Sequence, residues 1–144
     1  MLSALLFNGC SFGKSGYEKI SADIDSAFVI FGTATNGHVS QDGYYVLSAY
    51  NADSSKYIYI VFPSDDADMY YIPYDNVSGI NLLDKLNGKR YSASVLAGEG
   101  EIYLNSKPDS IFRELSGTFY GVLVNILDYS DTVKVENGEF DFLF

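Results

Sequence analysis

Val133-Lys-Val-Glu-Asn-Gly-Glu-Phe-Asp-Phe-Leu-Phe144 closes the chain. Phe140, Phe142 and Phe144 recur at every second position, with Glu139 and Asp141 between them. A period of two is the period of a strand, whose successive side chains point to opposite faces. The segment therefore has one apolar face and one wet face. Val133 and Val135 repeat the pattern upstream of Asn137-Gly138, a dipeptide that tolerates positive φ at both residues and predicts a hairpin turn.

The same alternation runs through most of the chain. Ile20, Ala22 and Ile24 alternate with Ser21, Asp23 and Asp25, and Ala27 to Phe31 is a short apolar run. Tyr44 to Tyr50 and Tyr57 to Pro63 read as two strands joined through Asn51 to Lys56, followed by a shorter strand, Met69 to Pro73. Arg90 to Ala97 and Gly100 to Asn105 read as a hairpin, and Leu115 to Leu127 is the longest strand signal. Thr132 to Glu136 and Glu139 to Phe144 complete the set. Asn36-Gly37 and Asp42-Gly43 predict turns. Only Val77 to Leu86 has a helical reading, with Ile80, Leu82, Leu83 and Leu86 apolar and Gly88 as a stop. The fold class expected is all-β: about nine or ten short antiparallel strands with at most one short helix, arranged as a two-sheet sandwich or a flattened up-and-down barrel. Alternation does not separate those two. Residues 20–144 read as one domain, preceded by an N-terminal segment, residues 1–19.

Composition narrows the function classes. The 144 residues hold 9 Lys+Arg against 19 Asp+Glu, a net charge of −10. Such a surface repels phosphate backbones, so no nucleic-acid partner is expected. One Cys and one His exclude an intrachain disulfide and a Cys/His metal site, and no metal or cofactor is expected. The 13 Tyr and 10 Phe, with no Trp, suit half-buried pleated surfaces. No apolar run approaches the ~20 residues of a membrane-spanning helix.

Met1-Leu-Ser-Ala-Leu-Leu-Phe-Asn-Gly-Cys10, followed by a polar Gly/Ser-containing stretch, resembles the end of a bacterial lipoprotein signal peptide, in which the signal is cut before the Cys and the Cys carries lipid. The apolar run is short and no basic residue precedes it, so Met1 is read as an internal or misassigned start. An ordinary apolar N-terminus with a buried free Cys is the alternative. Glu114-Leu-Ser-Gly-Thr-Phe119 and Val133-Lys-Val-Glu-Asn-Gly-Glu-Phe-Asp141 resemble the closing strands of a family of small, uncharacterised bacterial lipoproteins. Gly100-Glu-Ile-Tyr-Leu-Asn105 and Ile20-Ser-Ala-Asp-Ile-Asp25 are similar to strands that family carries earlier. The resemblance implies an extracytoplasmic all-β lipoprotein, held at the bacterial envelope or cell surface through lipid on Cys10, with residues 1–19 the signal remnant and, from Ser11 to Lys19, a flexible tether. It implies no activity and no catalytic residues. Gly117 and Gly121 within the motif mark a bulge or a close approach of two backbones.

Few residues point to chemistry. Gly13-Lys14-Ser15 lacks the first Gly of a phosphate-binding loop. His38, with Ser40 nearby, reads as surface rather than as part of a triad. Glu99 and Glu101 share one face of a strand, as a glycosidase pair would, but a solvated outer face beside a hairpin is the preferred reading. Ser64 to Asp68 is an acidic loop, and Asn51, Asp53 and Ser55 alternate in another, but neither has the spacing of a calcium loop. The most suggestive feature is a cluster of tyrosines: Tyr44, Tyr45, Tyr50, Tyr57, Tyr59, Tyr70, Tyr71 and Tyr74. Adjacent pairs put one ring on each face of a strand, so one of each pair points outwards. Cross-strand packing on a solvated face explains such rings, and so does a glycan or protein partner. The function expected is a membrane-anchored extracytoplasmic β domain with a non-enzymatic binding or surface-structural role. The alternatives are a calycin-like barrel enclosing a small apolar ligand, a glycan-active enzyme, and a matrix subunit pairing through Glu139 to Phe144.

Overall fold

The computed structural model describes residues 18–144, so Cys10 and nearly all of the N-terminal segment lie outside the described residues. Ten strands and no helix make up the described chain: β1 (Lys19–Ile24), β2 (Ala27–Val39), β3 (Tyr44–Asn51), β4 (Lys56–Pro63), β5 (Met69–Ile72), β6 (Gly79–Asp84), β7 (Lys89–Ala93), β8 (Glu99–Ser106), β9 (Glu114–Asn125) and β10 (Asp128–Leu143). Eight form a closed ring in the order β10-β1-β2-β3-β4-β6-β7-β9, with β9 paired in turn to β10. Every pairing is antiparallel. Of the two architectures that alternation allows, the chain adopts the barrel.

β8 and β5 extend from β9 as a two-stranded flap on the ring. One edge of β9 follows β10 from Glu114 to Asn125. Its other edge pairs first with β8, from Ser116 to Val122, and then with β7, at Val124 and Asn125 only. The strand is long enough to serve both because alternate residues, Leu115, Phe119 and Leu123, are buried on one face. The hand-over occurs beside Gly100 and Gly121, which face each other in register. A Cβ on Gly121 would stand 2.5 Å from the Glu99 carbonyl oxygen, and one on Gly100 would stand 2.8 Å from that of Tyr120. Only two glycines allow backbones that close, as expected for Gly121 and likewise for Gly117, whose Cβ would stand 2.1 Å from the Tyr103 carbonyl oxygen.

Aromatic side chains fill the barrel. Phe31, Phe62, Tyr70, Phe119 and Phe142 are fully buried among Ile20, Leu47, Ile58, Ile60, Ile80 and Ile102. Ring centroids of Tyr45–Phe62, Phe62–Tyr70, Phe62–Phe140 and Phe119–Phe140 lie 5.4, 5.8, 5.8 and 6.3 Å apart. Pairs at such distances add ~0.5–1.5 kcal/mol each beyond the area they bury. The segment Glu139–Asp141 is paired on one edge with β1 and on the other with β9, so those edges are taken within the fold.

Four local expectations are corrected. Arg90 to Ala97 and Gly100 to Asn105 do not form a hairpin: β7 pairs with β6 and β9, and β8 with β9 and β5. Asn137-Gly138 does not turn the chain; it is a bulge inside β10, with Asn137 at φ 51° and a register shift between Val135 and Gly138. The hairpin lies instead at the β9–β10 junction, where the Asn125 Oδ1 accepts the Leu127 N–H at 2.9 Å. Asn36-Gly37 likewise lies within β2, beside irregular pairing with β3. Gly37 is needed there because a Cβ would stand 2.7 Å from the Phe142 ring. Val77 to Leu86 is not helical: Gly79–Asp84 is β6, with Ile80 and Leu82 buried and hydrogen-bonded ladders to β4 and β7 on its two edges. A short apolar run fits either period, and tertiary pairing decided this one. Asp42-Gly43 does turn the chain, with the Gly43 N–H donating to Ser40 O at 3.1 Å.

Candidate functional site

The eight clustered tyrosines are dispersed over the barrel. Tyr45 and Tyr70 enter the core, at 8% and 1% exposure, while their sequence neighbours Tyr44 and Tyr71 face outwards. Tyr44 donates to an Asp75 carboxylate oxygen at 2.8 Å and Tyr74 meets Tyr70 edge-on at 5.3 Å. Tyr70 also donates to Asp65, so these rings brace the loops at one end of the barrel. Its hydroxyl pKa is raised, first by burial and then by that carboxylate. Tyr50, Tyr57 and Tyr59 form a row on the outer face of β3 and β4, with centroids 4.6 and 6.2 Å apart and the Lys85 Nζ 5.2 Å from the Tyr50 centroid. This row is cross-strand packing of the kind that stabilises a half-wet sheet.

A more site-like arrangement lies on the outer face of β5, β8, β9 and β10. Tyr71 pairs in register with Glu101, and Glu101 with Tyr120. One row along, Met69 pairs with Tyr103 and Tyr103 with Thr118. These residues share one face, so Tyr71, Tyr103 and Tyr120 gather around the Glu101 carboxylate. Beyond them β10 contributes Lys134, Glu136 and Glu139. The close crossing at Gly100 and Gly121 forms the floor of a hollow of about 560 Å³, walled by Tyr71, Glu99, Glu101, Tyr120, Lys134 and Glu136. A second hollow of about 460 Å³, bounded by Tyr103, Thr118 and the Glu136–Glu139 bulge, shares Tyr120 with the first. The two lie side by side, sharing Tyr120 and Glu136, and together form a trough along β9.

Electrostatics set the character of the trough. The Tyr103 hydroxyl donates to Glu101 and holds its carboxyl below the ordinary carboxylate range, with a smaller contribution from the Tyr120 hydroxyl. The reciprocal effect raises the hydroxyls of Tyr103 and Tyr120 above the usual phenol value, the hydrogen bond to Glu101 being the main cause. Glu101 is thus an ionised acceptor at neutral pH, flanked by three aromatic faces. A general acid of a glycosidase needs the opposite, a carboxyl kept protonated by its surroundings.

The other sequence candidates are occupied in the fold. His38 is exposed on β2, and the nearby Ser40 hydroxyl oxygen accepts the Tyr44 N–H at 3.1 Å to close a turn. Asn51, Asp53 and Ser55 bond to one another and to the backbone of the β3–β4 turn. In the acidic loop, Asp65 caps the Ala67 N–H at 3.0 Å and Asp68 pairs with the Lys107 Nζ at 3.1 Å. Among the described residues no group of three or more His, Cys, Asp or Glu could hold a metal ion. Of the trough, sequence reading singled out Tyr71, Glu99 and Glu101; it missed Tyr103 and Tyr120. The available signal was parity, since Glu99, Glu101 and Tyr103 alternate on one face, opposite Tyr120 in an antiparallel partner. Comparison with known protein families, curated proteins and solved structures finds no match to this chain.

Proposed function

We propose that this chain is a non-enzymatic binding domain, held at the extracytoplasmic face of a membrane through lipid on Cys10, that takes a glycan in the trough along β9. The observation that carries the reading is the gathering of Tyr71, Tyr103 and Tyr120 around the ionised Glu101. Phenol rings offer flat apolar faces to the C–H side of a pyranose, and a carboxylate accepts its hydroxyls. The ring-filled interior favours an outer site over an enclosed apolar ligand. The lowered Glu101 carboxyl favours binding over acid catalysis.

Titration of the ¹⁵N-labelled protein with cello- and chito-oligosaccharides tests the site. Amide shifts are expected at Tyr71, Glu101, Tyr103 and Tyr120, and both Tyr120→Ala and Glu101→Gln should abolish them. Shifts confined to the Tyr50–Tyr59 row, or none, overturn the glycan site. A specific observation favours a protein partner as the second reading: Glu99, Glu101, Glu136 and Glu139 outnumber Lys134 around the trough. A Lys-rich peptide that shifts the same amides, and releases with added salt, selects that reading. The anchor is tested separately, by lipid labelling of the full-length precursor. Label that vanishes in Cys10→Ala supports it, and unlabelled wild type overturns it.

A further inference from the structure

The segment between β8 and β9 raises two large apolar side chains into solvent on a braced turn. Ile111 is 77% and Phe112 69% exposed. The Asp109 Oδ1 accepts the N–H groups of Ile111 and Phe112 at 2.7 and 2.6 Å, and the Asp109 N–H donates to Phe112 O at 2.7 Å. At the foot of the turn Arg113 donates to Phe144 O, and the Phe144 N–H donates to Arg113 O at 2.8 Å. The two side chains therefore stand on a fixed base.

The place of this turn in the topology gives it meaning. β1 begins at Lys19, in register with Asp141 of β10, and Asp141 is in register with Ser116 of β9. Two strand spacings, about 10 Å, thus separate Lys19 from Ser116, and the foot of the turn at Arg113 lies three residues, about 10 Å, further towards the start of β9. Lys19 and the foot of the turn both lie at one end of the barrel. Eight residues separate Cys10 from Lys19, and these nine steps of chain can span at most about 30 Å. A lipid on Cys10 holds this end within that distance of a bilayer, and the opposite end lies farther from the anchor by the length of the barrel.

We infer that the Ile111–Phe112 turn seats in the bilayer interface and sets the standing orientation of the barrel on the membrane. The inference rests on the anchoring reading above. Two apolar side chains alone partition weakly, and a tether supplies the effective concentration that makes weak contacts persist. The neighbouring charge selects the surface. Lys107 is engaged by Asp68 and by the carbonyl oxygens of Asp66 and Ala67, and around the turn the carboxylates Asp66, Asp68, Asp109 and Glu114 outnumber the cations Lys107 and Arg113, which leaves this end acidic. The seat therefore prefers a zwitterionic interface to an anionic one.

The chain has no Trp, so Phe112→Trp places a single reporter on the turn. Leu127→Trp places one at the opposite end of the barrel, at a residue 88% exposed. Each full-length variant is coupled through Cys10 to maleimide-headgroup lipid in phosphatidylcholine vesicles, some made with brominated acyl chains. Emission at 112 is expected to move to shorter wavelength and to be quenched by the brominated lipid, while emission at 127 stays unquenched. Equal quenching at both positions, or none at 112, overturns the inference. So does a blue shift at 112 without vesicles that grows with protein concentration, which would assign the turn to a second copy of the chain. The coupling supplies the tether chemically, so this result reads the seat alone, and lipid labelling of the precursor reads the anchor.

Discussion

Gly117→Ala tests the tightest backbone crossing in the barrel. A Cβ at this position would stand 2.1 Å from the Tyr103 carbonyl oxygen and 2.6 Å from the Phe140 ring. Ordinary contact begins near 3.4 Å, so β8 and β9 must part by 3.4 − 2.1 = 1.3 Å. Such a gap breaks ladder hydrogen bonds around the Leu104–Gly117 pair, worth ~1 kcal/mol net each. Forcing a methyl into a packed site costs ~1–3 kcal/mol by itself. Together these give a loss of about 3 kcal/mol, a large share of the ~5–15 kcal/mol that holds a domain folded. With a urea slope of about 2 kcal/mol/M, the unfolding midpoint falls by about 1.5 M. Gly32→Ala is the control: its Cβ meets nothing nearer than Ile30 at 3.8 Å, and the change is expected to be neutral or slightly stabilising. Urea titrations of both variants and the wild type, followed by circular dichroism and Tyr fluorescence, make the comparison. Equal midpoints for Gly117→Ala and the wild type, or equal losses in the two variants, would refute the crossing.

Phe142→Ala removes a fully buried ring that packs against Gly37, and a loss of ~3–5 kcal/mol is expected in the same titration; a midpoint shift of a few tenths molar would speak against a filled interior. Tyr103→Phe takes away the main donor to Glu101, so the Glu101 carboxyl pKa, followed by ¹³C NMR, should rise towards the ordinary value; an unchanged titration would mean that the hydroxyl does not reach it in solution. Asp131 pairs with the Lys89 Nζ at 2.9 Å and accepts from Asn125 and Tyr91, which holds its carboxyl below the ordinary value, the Lys89 contact being the largest cause. A depressed carboxylate contributes stability above its unfolded pKa and loses it as pH falls through the folded one. Asp131→Asn should therefore be less stable near neutrality and lose less than the wild type on acidification below about pH 4, as measured by urea midpoints across pH.

Alternation made most of the strands legible, because Phe140, Phe142, Leu47, Ile58 and Ile60 occupy the core face that a period of two assigns them. It could not distinguish a bulge from a turn. Asn137 adopts the positive φ that Asn-Gly offers, yet residues on both sides of it pair with the same strand, β9. Positive φ specifies a backbone conformation, and the partners decide whether that conformation reverses the chain or only kinks it. The helical reading of Val77 to Leu86 failed for a related reason: Ile80 and Leu82 fit both periods until β4 and β7 claim their edges. The trough was hardest to see. Tyr71, Glu101, Tyr103 and Tyr120 come from three strands, and their meeting depends on a register set by the β8–β9 connection. Local density of Tyr is highest over residues 44–74, yet there two rings are core and three pack against one another.

The barrel is sealed by its most distant parts. β1 pairs with β10, Ile20 opposite Phe140, so almost the whole described chain lies between two strands that must meet. Local hairpins such as β3–β4 and β9–β10 can form as they emerge, whereas the β1 edge waits for the last strand to be made and delivered. Contacts of such long range slow folding, since the closure entropy is met before the pairing rewards it. Loss of β10 would strip the partner from β1 and from β9 at once, leaving two bare ladders open to pairing between molecules. Premature termination anywhere before Asp128 is expected to yield aggregate or degraded chain, not a smaller domain.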